Sequence, residues 1–168
     1  SAFGKHSQIM TSSLPVSLKR KVYNSCIFPV LTYGAETWRL TKSVLRKLRT
    51  MQRAMECKMV GVTLRDRKCA EWVREITQVT NILVEIKKKK WAWAGHVVRR
   101  EDNQWSLRVT NWILREGKQS RGRQRVKWAD VVKKFAGVKW VQLAQNQVNW
   151  RNGGEAFVVQ LFISSGIG

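Results

Sequence analysis

The chain has 168 residues, of which 43% are hydrophobic and nine are tryptophan, so it contains enough apolar material for a folded core. Its 32 Lys and Arg against 11 Asp and Glu give a net charge of +21, which indicates a polyanionic partner such as DNA or RNA. No apolar run approaches the roughly 18 residues of a spanning helix, and the N-terminus lacks a hydrophobic signal core. We therefore expect an intracellular protein, nuclear or cytoplasmic, without a membrane partner.

The first predicted helix begins near Ser13, because Leu14-Pro15 follows and proline suits the first turn of a helix. Apolar residues then recur at helical spacing, namely Leu18, Val22, Cys26 and Ile27. Pro29 is expected to end this helix.

The clearest predicted helix runs from a cap at Thr41 to a stop at Gly61. Apolar residues recur three to four positions apart along it, at Val44, Leu48, Met51, Met55 and Met59. Four cations repeat at intervals of four, three and four residues, at Lys42, Arg46, Arg49 and Arg53. At about 100° per residue the two sets lie on roughly opposite sides, so one face suits a core and the other suits solvent or phosphate.

The second half continues the helical pattern with interruptions. A charged connection over 62–70 leads to a short helix near 71–76, and a longer helix starts at Asn81 with a buried side at Ile82, Leu83, Ile86, Trp93 and Val97. Residues 118–125 read as an exposed basic loop. One more helical face follows and ends at Gly137, made by Trp128, Val131, Val132 and Phe135.

The last predicted helix begins at Trp140 and includes Leu143, Ala144 and Val148. Gly153-Gly154 and the stretch 163–168 carry little structural signal. Period-two alternation is nowhere sustained, so the sequence predicts a mostly α fold.

Residues for catalysis or metal binding are scarce. The chain has no Asp-Asp pair, and its adjacent acids Glu101-Asp102 suit the end of a helix or the neighbouring Arg99 and Arg100. His6 and His96 are the only histidines, and no phosphate-binding loop or nucleophile elbow occurs. Three distant cysteines, at Cys26, Cys57 and Cys69, predict free thiols. We predict no catalytic residue, no metal site and no cofactor in this chain.

Cations interleaved with aromatic rings predict nucleic-acid binding, because the cations neutralise phosphates and the rings can contact bases. The candidate residues are Lys42, Arg46, Arg49, Arg53, Lys87, Lys88, Lys89, Lys90, Trp91, His96, Arg99, Arg100, Arg121, Arg123, Arg125 and Lys127. Trp105 and Trp112 are further candidates for base stacking, whereas six tryptophans at apolar positions are expected in the core: Trp38, Trp72, Trp93, Trp128, Trp140 and Trp150. The plain alternative is that the charge runs are solvated faces, or that they contact protein or chromatin.

Several spaced motifs occur in a fixed order along almost the whole chain, from about Ala2 to Phe157. They are Leu18 to Tyr23, Pro29 to Trp38, Gln52 to Glu56, Gly61 to Arg67, Trp91 to Arg100 and Arg121 to Asp130. This series resembles the C-terminal third of non-LTR retrotransposon proteins, the LINE-type, RTE-like endonuclease–reverse transcriptases.

The resemblance implies a helical thumb-like region at 1–62 and a small, basic, Trp-rich helical C-terminal domain at 63–168. It implies RNA template, DNA primer and target-site DNA as partners during target-primed reverse transcription, together with the remainder of the parent polymerase. The palm with its Asp pair and Mg²⁺, and the endonuclease, would precede this region. The start at Ser1 favours a fragment of that parent.

Some positions depart from the family pattern. Gln124 stands where proline is usual, Val131 stands where aspartate is usual, and Gly153-Gly154 interrupts a normally continuous helical ending. These departures favour an alternative, a domesticated or decayed transposon-derived protein that serves as a non-catalytic DNA-binding, chromatin-binding or protein-interaction module.

Overall fold

The fold of the described residues is helical throughout. The computed structural model describes Gly4, residues 6–100 and residues 127–163, and no strand occurs among them. The prediction of a mostly α fold is confirmed. We number the α-helices in chain order: α1 Ser7–Thr11, α2 Val16–Val22, α3 Phe28–Leu31, α4 Lys42–Val60, α5 Ala70–Thr77, α6 Ile82–Arg99, α7 Asp130–Ala136, α8 Trp140–Gln145 and α9 Gln147–Ile163.

Contacts divide the chain into two compact units. The first comprises residues 1–33 and 42–85, and the second comprises residues 34–41 and 86–168. Helix α6 therefore begins in the first unit and continues in the second. The predicted boundary after residue 62 separates a thumb-like region from a C-terminal domain by function, whereas these units are defined by contacts. That functional boundary stays a prediction.

Pro29 does not end the helix that it was expected to end. A π-helical turn over Tyr23–Ile27 follows α2 directly, and α3 then carries the chain to Leu31. Pro29 lies in the first turn of α3, where a missing N–H costs little, and the wide π turn before it leaves room for the proline ring. The helix begins at Val16, slightly later than the predicted start near Ser13, and Pro15 is its N-cap residue rather than part of its first turn.

Helix α4 supplies much of the core of the first unit. Leu48, Met55 and Met59 are buried, but Met51 is 38% exposed, so its predicted inward packing is wrong. At about 100° per residue, Met51 lies about 60° to one side of Leu48, whereas Gln52 lies about 40° to the other side. The buried face is therefore displaced toward Gln52 and Glu56, both of which are buried.

Gln52 is buried because both ends of its amide have backbone partners. Its Nε2 donates to the Thr80 carbonyl at 2.9 Å, and its Oε1 accepts from the Ile82 N–H at 2.9 Å. The second bond satisfies one of the N–H groups that the first turn of α6 leaves without a helical partner. Gln52 thereby fixes the start of α6 against α4.

Glu56 lies one turn further along the buried face. Burial raises the pKa of its carboxyl, and the nearby Arg74 and Arg53 act in the opposite direction. Arg74 on α5 approaches it, with 4.0 Å between Nε and Oε1. This pair helps attach α5 to α4 within the first unit.

The second unit is built around two stacked tryptophans. Trp91 on α6 and Trp150 on α9 have ring centroids 3.8 Å apart and planes within 5° of parallel. Each indole Nε1–H donates to the backbone carbonyl of the other residue, at 2.8 Å and 2.9 Å. The pair is therefore fixed by two reciprocal hydrogen bonds as well as by ring contact.

Glycines on both helices allow this close approach. A Cβ placed at Gly95 would lie 2.5 Å from Trp150 Cδ1, and one at Gly154 would lie 3.1 Å from Trp91 Cδ1. Gly153 and Gly154 were expected to carry little structure, but both lie inside α9. Their missing side chains leave room for the Trp91 ring, and that packing offsets their low helix propensity.

Two shorter helices complete the described part of the second unit. Helix α7 ends before Gly137, which has a φ of 78° and confirms the predicted stop. The single last helix predicted from Trp140 is instead two helices, α8 and α9. Asn146 breaks the run, because its backbone is extended and its side-chain Oδ1 accepts from the Asn149 N–H at 3.1 Å. Trp140 and Ala144 are buried, whereas Leu143 and Val148 are exposed.

Gly95→Ala should destabilise the protein, although alanine normally favours a helix over glycine by about 1 kcal/mol. The new methyl group would displace Trp150 and should lower the free energy of unfolding by about 1–3 kcal/mol, measured by urea denaturation. In a Trp150→Ala background the same change should be stabilising. Equal effects in the two backgrounds would contradict the steric account.

Candidate nucleic-acid interface

Three of the four cations predicted along α4 form an exposed stripe. Lys42, Arg46 and Arg49 are exposed, and we call these three residues the α4 stripe. The fourth, Arg53, is half-buried, and its Nη2 donates to the Lys68 carbonyl at 2.6 Å. Arg53 thus helps hold the connection between α4 and α5.

The run of four lysines in α6 is divided by the helix. Lys88 is exposed and Lys89 is half-buried, whereas Lys87 and Lys90 are buried. Successive residues of a helix point about 100° apart, so a continuous charge run cannot all face solvent on a helix packed on several sides. The run is therefore not a uniform basic surface.

Lys90 is an internal anchor of the second unit. Its Nζ donates to the Trp38 carbonyl at 3.0 Å and lies 4.2 Å from the centre of the Trp128 ring. The Trp128 indole in turn donates to the Glu36 carbonyl at 2.6 Å. Burial lowers the pKa of Lys90 to about 7. These contacts attach the segment 34–41 to α6. Lys90 is therefore not one of the exposed cations that could contact nucleic acid.

Trp91 belongs to the core rather than to a base-stacking surface. Only 6% of the residue is exposed. Its ring stacks on Trp150, and its ring centre lies 4.6 Å from that of Phe157. A base therefore has no free face of this indole to stack on. Trp140 and Trp150 are buried as predicted, but Trp72 is 36% exposed and carries the Lys68 ammonium 5.0 Å from its ring centre.

The remaining candidates of the second unit are dispersed. His96 is exposed beside Trp93, with 5.4 Å between ring centres, and Arg100 and Lys127 are also exposed. Arg99 is half-buried, and its Nη1 donates to the Ala144 carbonyl at 2.7 Å. Other predicted residues lie outside the described part of the chain: Arg121, Arg123, Arg125, Trp105, Trp112, Glu101 and Asp102.

A groove between α6 and α9 has a volume of about 380 Å³. Its described lining residues are Lys88, Trp91, Ala92, Arg99, Gln147, Trp150, Arg151, Gly154 and Glu155. Sequence reasoning missed Arg151, which is exposed and stands outside every charge run. A lone arginine in a polar helical stretch gives no signal until packing brings it to Lys88 and Arg99.

Metal and disulfide chemistry find no support in the described residues. Within residues 6–100 and 127–163, no three His, Cys, Asp or Glu side chains come together as a metal-binding group. Cys26, Cys57 and Cys69 are free thiols, as predicted. Among the described helices, none combines the length and the apolar character needed to cross a membrane.

Comparison with known proteins gives one informative similarity. The chain is 30% identical over 162 residues to an uncharacterized transposon-derived protein of Caenorhabditis elegans. The aligned region covers 89% of this chain and 58% of that protein, so the chain spans little more than half the length of this relative. This similarity indicates a transposon origin. No protein-family model and no solved structure matches the chain.

Lys90 should make stability depend on pH above neutrality. Its pKa is about 7 in the folded protein against an ordinary 10.5, so between these values only the unfolded chain carries the proton. The free energy of unfolding should therefore rise by up to about 1.4 kcal/mol per pH unit across that window. Below pH 7 Lys90 is protonated in both states, so its contribution to the pH dependence should disappear.

Urea denaturation at several pH values measures this effect against two variants. Lys90→Met should lack the added slope, whereas Lys88→Met, which alters an exposed lysine of the same helix, should retain it. The interpretation would be wrong if wild type and Lys90→Met had parallel profiles.

Proposed function

We propose that the chain binds nucleic acid through exposed cations, as the non-catalytic C-terminal part of a non-LTR retrotransposon reverse transcriptase. The observation that carries this proposal is the α4 stripe, in which Lys42, Arg46 and Arg49 are all exposed on a helix whose other side is buried. In a chain of net charge +21, such a stripe favours a polyanion.

The geometry of the stripe suits a phosphate backbone. Seven residues separate Lys42 from Arg49, which corresponds to about 10 Å of helix rise. Successive phosphates of one DNA strand advance about 3.4 Å along the duplex axis, so the stripe spans roughly three of them. Contacts to phosphates position a duplex without reading its sequence, so we expect binding with little sequence preference.

The transposon-derived relative supports a transposon origin, and we infer reverse transcription as the setting from the resemblance of the sequence motifs to non-LTR retrotransposon proteins. In that setting the chain would hold RNA template and DNA primer, while the palm of the parent protein would supply Mg²⁺ and the polymerase activity. A preference for a primer–template duplex over any particular base sequence is expected. A domesticated DNA-binding module would bind by the same charges but would lack that preference.

The double change Arg46→Ala and Arg49→Ala should weaken binding to all sequences while leaving the fold nearly unchanged. Affinity of the wild type should fall with salt at a slope of about −0.9 in log K against log salt for each phosphate contact on duplex DNA. The double variant should flatten this slope by roughly one unit per lost contact, as measured by fluorescence anisotropy at several salt concentrations.

Two controls accompany the double variant. Lys133→Ala with Lys134→Ala removes two exposed cations from α7 and should change the slope less. Leu48→Ala should instead lower the free energy of unfolding by about 2–5 kcal/mol, because it leaves a cavity in the core. A folded stripe variant with unchanged affinity and unchanged slope would make the stripe an ordinary solvated surface.

The purified chain should extend no primer and cut no DNA, because such reactions need carboxylates that hold two metal ions. The assay is dNTP incorporation on an RNA template with a DNA primer, in the presence of Mg²⁺. Template-dependent incorporation that is lost on changing Glu101→Gln or Asp102→Asn would place the polymerase centre in this chain and overturn the proposal.

A further inference from the structure

The groove between α6 and α9 combines an apolar floor with a cationic rim. Its volume of about 380 Å³ lies within the range of small-molecule sites. Lys88, Arg99 and Arg151 line it, and Glu155 is the carboxylate among its described lining residues. The lining therefore carries an excess of positive charge and suits a ligand that is both anionic and partly apolar.

The floor of the groove is formed before any ligand arrives. Trp91 and Trp150 are held by their reciprocal hydrogen bonds and stacked at 3.8 Å, so a ligand need not order them. Their residues are only 6% and 4% exposed, so the rings offer edges rather than faces. The exposed Ala92 adds a methyl group beside these edges.

The rim offers donors from two helices. Lys88 on α6 and Arg151 on α9 are exposed, and each can contact an anion without leaving a core position. Arg99 is held in place by the bond from its Nη1 to the Ala144 carbonyl, which leaves other guanidinium N–H groups of its fixed fork for a ligand. Charge complementarity with a phosphate follows from this arrangement.

We propose that this groove holds one unstacked nucleotide of a single strand. Its phosphate contacts Lys88 and Arg151, and its base packs against the indole edges and Ala92. The proposal rests on the proposed function and adds to it a preference for single strands and a contact with the base. In a duplex the base stays in the stack and cannot enter the groove, so duplex binding does not use this site.

The test compares three labelled probes by fluorescence anisotropy at low salt: a short oligothymidylate, an abasic strand of the same length, and a duplex. The wild-type chain should bind oligothymidylate roughly five- to tenfold more tightly than the abasic strand, because only the former has bases to bury.

Two variants address the groove itself. Ala92→Leu fills it without changing charge and should abolish the preference for oligothymidylate over the abasic strand. Ala54→Leu, the same change at an exposed position of α4, should keep that preference. Far-UV circular dichroism checks that both variants are folded.

A second pair of variants addresses the rim. Lys88→Gln with Arg151→Gln should weaken oligothymidylate binding about tenfold while weakening duplex binding no more than Lys133→Gln with Lys134→Gln does. Both pairs remove two exposed positive charges, so a difference between them reports position rather than net charge.

The outcomes separate the two proposals. Wild-type chain that binds none of the three probes overturns both the proposed function and the groove. Binding of all probes with equal affinity for oligothymidylate and the abasic strand, or an unchanged preference in folded Ala92→Leu, overturns the groove alone. A glutamate-rich peptide that loses affinity in Ala92→Leu as strongly as oligothymidylate does would make the groove a peptide site and would likewise overturn it.

Discussion

The reciprocal Trp91–Trp150 pair is the interaction on which the second unit depends. Two large rings stack at 3.8 Å, and each indole N–H is satisfied by the other residue's carbonyl, so neither polar group is buried without a partner. The arrangement requires glycine at Gly95, where a Cβ would lie 2.5 Å from Trp150. It also accounts for Gly153 and Gly154 inside α9, which would otherwise weaken that helix. The same two tryptophans also form the floor of the groove between α6 and α9.

In each unit, a buried polar side chain fixes distant backbone segments by hydrogen bonds. Gln52 uses both ends of its amide to fix the backbone at Thr80 and Ile82, and Lys90 fixes the segment 34–41 through the Trp38 carbonyl and the Trp128 ring. Each provides specific hydrogen bonds where an apolar residue would provide only volume. The cost for Lys90 is desolvation of its ammonium, which lowers its pKa.

The cations of this chain therefore have two different roles, although all of them contribute to the same net charge. Arg53, Lys90 and Arg99 donate to backbone carbonyls and hold elements together. The α4 stripe, Lys88 and Arg151 are instead exposed and are accessible to a ligand. A net charge of +21 favours attraction of a polyanion. Which cations are exposed to such a partner depends on how the fold buries them.

The sequence alone determined the helical class, the bounds of α4, the stop at Gly137 and the exposure of the α4 stripe, because these depend on periodicity and on local capping. Tertiary structure decided the rest. The passage through Pro29, the helical state of Gly153-Gly154 and the burial of Trp91 and Lys90 depend on partners distant in the chain. Arg151 and Lys88 line the same groove for the same reason. The sequence pattern predicts which residues share a face of one helix, but not which other helix packs against that face.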